Sequence, residues 1–187
     1  MMQFSRIVAV VFLMFVSASA NAEPRKAAAN SGNAGGYIGA GVGIPHVVYG
    51  KSSLAYKLFG GAKVHQFDIA KAGKLDLAVQ GEYINFGNSS VGGASWEQSG
   101  FAVAAVGSWV IPRKWAGWAE EKVAVLVKVG GSRVAYSSSH GNDYTSTGVT
   151  HGIGADYSVT PYFSARAMVE YYPGSYSVYG ISGVFKF

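Results

Sequence analysis

The sequence predicts an all-β protein: an eight-stranded antiparallel up-and-down barrel that crosses a membrane with strands. Three observations predict it. Eight segments alternate apolar with small or polar residues at a period of two, the repeat of a strand with a different surrounding on each face. Within those segments Asp, Glu, Lys and Arg are expected on one face only. Pro45, Pro112, Pro161 and Pro173 are each expected at a segment end, since proline cannot donate to a ladder.

Composition supports this class. A chain of 187 residues, 49% hydrophobic, suits one domain. The 26 glycines and 14% aromatics favour strands over helices. Without cysteine, disulfides, thiolate chemistry and a lipid anchor on Cys are excluded. The chain is basic, at +5, but its cations are scattered rather than striped, so no nucleic-acid partner is expected; contact with anionic lipid head groups is the milder use.

At the amino terminus Arg6, the apolar run Ile7 to Val16 and the small residues Ala20-Asn21-Ala22 form a secretory signal peptide, residues 1–22. Its ten apolar residues fall short of the roughly 20 that a spanning helix needs. Residues 23–35, rich in Ala, Asn and Gly, are expected as a flexible leader, and 36–187 as the barrel.

The first strand runs from Tyr37, with Ile38, Ala40, Val42 and Ile44 on its apolar face, and ends at Pro45. The second spans about Leu54 to Val64, with Lys57, Phe59 and Lys63 on the other face. The third, Lys74 to Phe86, sets Leu75, Leu77, Val79 and Tyr83 against Asp76, Gln80 and Glu82. The fourth runs from Phe101 to Ile111 and the fifth from Lys122 to Val134, where four valines oppose Lys128 and Ser132. The sixth, Gly148 to Val159, carries Asp156; the seventh, Tyr162 to Tyr172, carries Arg166 and Glu170. The last ends Tyr179-Gly-Ile-Ser-Gly-Val-Phe-Lys-Phe187. Each is about the 9 to 11 residues that a tilted strand needs to cross a bilayer.

A water-soluble ligand-carrying barrel shows the same alternation with the polarity reversed. Two features favour lipid outside. Glycines 39, 41, 43, 61, 130, 152 and 154 share the charged face, which suits a crowded narrow lumen. The apolar faces also end in aromatics: Tyr56, Tyr83, Phe101, Tyr171 and Tyr179 toward one rim, Trp109, Tyr157, Phe163 and Phe187 toward the other, the girdles of a membrane barrel. Charges turned into such a lumen must be paired, so Lys57, Lys63, Asp76, Glu82, Lys128, Asp156, Arg166, Glu170 and Lys186 are expected to form an ion-pair network. One hairpin register would set Lys57 across from Glu82 and Lys63 across from Asp76, and the turn at Pro161 sets Asp156 across from Arg166.

Gly36-Tyr-Ile-Gly-Ala-Gly-Val-Gly43, Tyr56-Lys-Leu-Phe-Gly-Gly61 running to Phe67-Asp68, Leu77-Ala-Val-Gln-Gly-Glu-Tyr-Ile-Asn-Phe-Gly87 and the terminal phenylalanine together resemble the OmpA/OmpX-type eight-stranded outer-membrane barrels of Gram-negative bacteria. The resemblance covers about Gly36 to Phe187. It implies a periplasmic amino terminus and four surface loops at Pro45 to Ser53, Gly87 to Gly100, Ser137 to Thr147 and Pro173 to Ser177. It also implies outer-membrane lipid and lipopolysaccharide as surroundings, and the barrel-assembly machinery as a partner that recognises Phe187. OmpA itself continues into a peptidoglycan-binding domain, which this sequence lacks, so cell-wall anchoring is not expected.

The leading functional expectation is a non-enzymatic outer-membrane protein serving envelope integrity or surface contact, including a host or cell-surface ligand at the loops. A small gated ion channel is the alternative. Lipid A modification would draw on Ser139, His140, Asp143 and His46, but adjacent Ser and His cannot readily face each other in an extended segment. His46, His65, His140 and His151 show no recurring ligand spacing, so neither a metal nor another cofactor is expected.

Overall fold

The computed structural model describes residues 35–46, 51–69, 73–91, 94–112, 122–139, 141, 143–174 and 176–187. The expected signal peptide, 1–22, and residues 23–34 of the expected leader lie outside the described residues. Eight long strands follow in order: β1 Gly36–His46, β2 Ala55–Ile69, β3 Gly73–Val91, β4 Ala94–Val110, β5 Val123–Ser138, β6 Tyr144–Ser158, β7 Phe163–Tyr172 and β8 Tyr176–Lys186. Each pairs antiparallel with its sequence neighbour. β1 also pairs with β8, from Tyr37↔Lys186 to His46↔Ser177, and this closes the barrel. A two-residue strand, Lys51–Ser52, lies against Ser89 and Ser90 of β3. Gly36, Phe187 and the β2–β3, β4–β5 and β6–β7 connections mark one end, here the near end; the other four connections mark the far end.

The period of two sorts the side chains by solvent. Val103, Val149, Ile153 and Ile181 are exposed on the outer wall, whereas Lys128 is 0% and Glu170 1% exposed in the lumen. A barrel in water would bury the first set and expose the second. Aromatic rings ring the outer wall at two levels. Toward the far end Tyr83 lies 6.3 Å from Tyr56 and 5.1 Å from Phe101, between ring centroids. Toward the near end Phe163 faces Phe185 across the β7–β8 ladder, and Phe185 lies 6.4 Å from Phe187.

Four sequence expectations change. The segment Gly87 to Gly100, expected as a loop, is a hairpin continued from Gly87↔Gln98 to Val91↔Ala94, and β5 and β6 likewise extend through Tyr136↔Tyr144. These extensions are rich in Ser and Gly and carry little apolar alternation; the ladder, a Gln98–Ser89 side-chain bond and the rings of Trp96, Tyr136 and Tyr144 hold them. Gly87, with φ +74, forms a bulge there, its N–H donating to Asn85 Oδ1 at 2.7 Å. Pro45 does not end β1: it pairs with Val178 one residue before the strand stops. Arg133 falls on the outer face of β5, opposite Phe101 at the far girdle, where a long cationic side chain meets the head-group level instead of hydrocarbon.

The fourth change is register. Lys57 faces Ile84 and Lys63 faces Ala78, two residues away from the expected alignment. A bulge at Val64, between Lys63 and His65, shifts the β2–β3 ladder by one, and Gln66 takes the place opposite Asp76. A two-residue shift keeps every side chain on its face and changes only which partners meet.

Candidate functional site: the lumen

Seven side chains form one continuous hydrogen-bonded belt across the middle of the lumen. Lys128, on β5, donates to Glu82 Oε1 at 2.7 Å and to Glu170 Oε1 at 2.5 Å. Lys57 pairs with Glu170 from β2, across the barrel and not with its hairpin neighbour Glu82. Gln80 Nε2 donates to Glu82 at 2.9 Å, while its Oε1 accepts from Arg166 Nη1 at 3.2 Å and from the Tyr37 hydroxyl at 3.0 Å. Arg166 grips Asp156 with two bonds, Nε to Oδ1 at 2.8 Å and Nη2 to Oδ2 at 3.0 Å, from directly opposite positions on β7 and β6. Thus Asp156, Arg166, Gln80, Glu82, Lys128, Glu170 and Lys57 are linked without a break.

The belt carries three cations and three carboxylates, so it is neutral. That balance matters because a lone buried charge costs several kcal/mol, whereas removing one member of a buried pair costs about 3–5 kcal/mol. Aromatic rings add to it. The Arg166 guanidinium lies 5.3 Å from the Tyr37 ring and 5.2 Å from the Phe59 ring; Lys128 Nζ lies 5.1 Å from Tyr172, whose hydroxyl donates to Glu82 at 2.7 Å. Glycine lets these rings lie flat on the wall: a Cβ on Gly61 would stand 2.5 Å from the Tyr37 ring.

Toward the far end the lumen holds an apolar cluster. Ala55, Ile84, Phe86, Val134, Tyr136, Tyr172 and Val178 pack together, with Trp96 and Tyr176 against them. Phe86 meets Tyr172 edge-on at 5.2 Å, and Tyr136 stacks on Tyr144 at 4.2 Å with 4° between planes. The Tyr136 hydroxyl donates to the Pro173 carbonyl at 3.1 Å. Burial pushes this phenol well above the ordinary tyrosine range. Beside Lys57 and Glu170 the void measures about 10 Å³, room for a single water at most.

Toward the near end a cavity of about 570 Å³ lies between the belt and the turns. Val106, Leu126 and Met168 cluster beneath it, and Lys63, Asp76, Ser108, Lys122, Ser158 and Lys186 are among the side chains on its wall. Lys63 pairs with Asp76 at 2.8 Å, reached diagonally, and Gln66 Nε2 donates to the same carboxylate at 2.7 Å. Lys186 donates to Ser158 Oγ at 3.4 Å and makes no ion pair among the described residues.

The lumen therefore brings together Lys57, Glu82, Lys128, Asp156, Arg166 and Glu170, holds Lys63 with Asp76 apart in the near cavity, and leaves Lys186 on that cavity's wall. Gln80, Tyr37 and Tyr172 are absent from the expected set. Their inward parity was readable, since Gln80 lies two residues from Glu82 and Tyr172 two from Glu170. Phe187 exchanges backbone bonds with Gly36 at 3.0 Å and turns its half-exposed ring outward. Of the enzymatic candidates, Asp143 accepts from the Ser138 N–H at 3.2 Å, Ser139 Oγ accepts from the Ser95 N–H at 3.3 Å, and His46 is exposed at the end of β1; His140 lies outside the described residues. His65 and His151 stand on the outer wall against Phe67 and Tyr171. Among the described residues no three metal-ligating side chains cluster.

The architecture is that of an eight-stranded membrane barrel. Known structures of similar shape carry it too. The N-terminal β-barrel domain of Pseudomonas aeruginosa OprF superposes with a TM-score of 0.57 at 15% identity, covering 82% of this chain and 98% of that one. Neisserial surface protein A gives 0.56 at 17%, covering 82% and 97%. The attachment invasion locus protein Ail of Yersinia pestis gives 0.53 at 14%, covering 81% and 96%. The outer-membrane enzyme PagL shares the shape at 0.52 and 14%, covering 81% of this chain and 99% of that one, so the fold hosts both kinds of protein. No family model and no curated protein matches the sequence. The fold is the one the resemblance implied, that of the OmpA/OmpX-type outer-membrane barrels.

Proposed function

We propose that this protein is an integral outer-membrane barrel, exported by its signal peptide, that serves envelope integrity or surface contact and neither conducts ions nor catalyses a reaction. One observation carries the proposal: the inverted polarity of the wall, with large apolar side chains exposed outside and six charged groups buried in a neutral belt inside. Lipid and lipopolysaccharide cover the outer wall, the near end faces the periplasm, and the polar far-end hairpins face outward, where any cell-surface ligand would be met. The membrane fraction of expressing cells should hold a form whose gel migration shifts on heating; recovery in the soluble periplasmic fraction would overturn the membrane reading.

The near cavity favours one second reading, a narrow ion pore, because it already hollows part of the lumen. The belt and the aromatic packing beyond it oppose conduction. Planar-bilayer recording of refolded protein decides between the two, with no conductance above the lipid baseline expected. Lipid A mass spectra should be unchanged on expression. Phe187 acts in this proposal as the assembly signal for the barrel-assembly machinery. Its deletion should lower outer-membrane insertion far more than any loop substitution, measured as the folded fraction in membranes.

A further inference from the structure

We propose that the near-end cavity is a binding site for a compact polyanion, a small molecule bearing clustered phosphate or carboxylate groups, held by Lys186 with Ser158 and Ser108. The cavity, about 570 Å³, falls within the range of small-molecule sites, roughly 300–1,000 Å³. Its floor is made by Asp156 and Arg166 of the belt and by Val106 and Leu126, so access from the far end is blocked.

Charge selects the ligand class. The belt is neutral and internally satisfied, and Arg166 at the floor is held by Asp156. Above it the wall carries Lys63, Lys74, Lys122 and Lys186 against Asp76. Asp68 stands opposite Lys74 in the ladder and offsets it at the rim. Lys63 is paired with Asp76 and Lys122 has a partner of its own, so among the described residues Lys186 is the cation this wall leaves over, and low-dielectric walls focus its field. Lys186 is where that charge becomes a site: its stem is half-buried, its ammonium has a hydroxyl oxygen as acceptor at 3.4 Å, and among the described residues no carboxylate lies within ion-pairing distance. An ammonium has three donors, so Lys186 keeps donor capacity for an anion. Ser158 and Ser108 supply neutral hydroxyl donors on the same wall. The expected leader is itself cationic, with Arg25 and Lys26 against Glu23, and is a poor occupant by the same test.

The site is independent of whether the barrel conducts, and binding to refolded protein is read without reference to cellular location. Titration calorimetry of the refolded full chain in neutral detergent, with pyrophosphate and with citrate as probes, should give saturable binding that weakens as salt rises. Lys186→Gln should weaken it by about tenfold or more, as expected for loss of one charge-assisted contact, and Lys186→Arg should retain it. Arg133→Gln, which removes a cation from the outer wall, should leave it unchanged. Heat-modifiable migration establishes that each variant is folded. Absence of saturable binding to the wild type, or equal weakening by Arg133→Gln, overturns the proposal.

Discussion

Toward the far end the wall turns Ile84, Phe86, Val134, Tyr136 and Tyr172 into the lumen, and they meet across it. Toward the near end the same eight strands turn in Ala78, Ser108, Ala124 and Ser158, and about 570 Å³ is left. The number of strands fixes the bore, so side-chain volume decides whether a given level is closed. Between the two levels, charge pairing does what bulk does above it: it fills the section and leaves no partner wanting.

The comparison breaks most sharply at the belt. Lys128→Met removes the one cation shared by Glu82 and Glu170 and should cost about 3–5 kcal/mol in denaturant unfolding from detergent or bilayers. A cost below about 1 kcal/mol would mean that water already screens the belt. Next comes Phe86→Ala in the far-end packing, expected to cost about 3 kcal/mol by the same measurement, since Phe86 is 1% exposed and touches two tyrosines.

Tyr136→Phe should cost about 1 kcal/mol at neutral pH through its bond to Pro173. It also carries a pH signature. While both states keep the phenolic proton there is no slope; as pH rises through about 10 the unfolded chain ionises first, so stability falls from there upward. The variant should lose that share of the alkaline decline, read from unfolding curves between pH 9 and 11, values chosen about the usual tyrosine pKa. Smallest of all, Ala124→Leu beside the cavity should change stability by less than about 1 kcal/mol, because added methylenes there meet space instead of packed neighbours. A penalty as large as that of Phe86→Ala would erase the distinction between the two ends.

The face of nearly every strand residue was legible in the sequence, because a period of two leaves one binary choice. Arg133 escaped it because its outward position lies above the apolar band, where strand parity and lipid contact part company. Pairing was legible only across the short β6–β7 turn, where Asp156 and Arg166 stand directly opposite. The bonds from Lys57 to Glu170 and from Lys128 to Glu82 join strands that are not neighbours, and alternation carries no information about which side chains meet across a lumen. Gln80 was hidden for a different reason. It is uncharged, so an inventory of ions passes over it, yet it is the amide that joins the two ionic groups into one belt. The far-end hairpins were hidden by composition, since Ser, Asn and Gly are the residues that mark turns and loops, and here they sit in a ladder.

The β1–β8 seam sets the order of events when the chain folds. Every other ladder joins consecutive strands and can zip outward from its own turn, but Tyr37 meets Lys186 only after the entire intervening chain is in place. Until that moment β1 and β8 are two bare edges with unpaired N–H and C=O groups, adhesive to each other and to any neighbouring strand, and barred from hydrocarbon. Closure is thus a single late event that hides both edges at once. A chain cut anywhere before Tyr179 would reach the membrane with a permanent edge and no way to hide it.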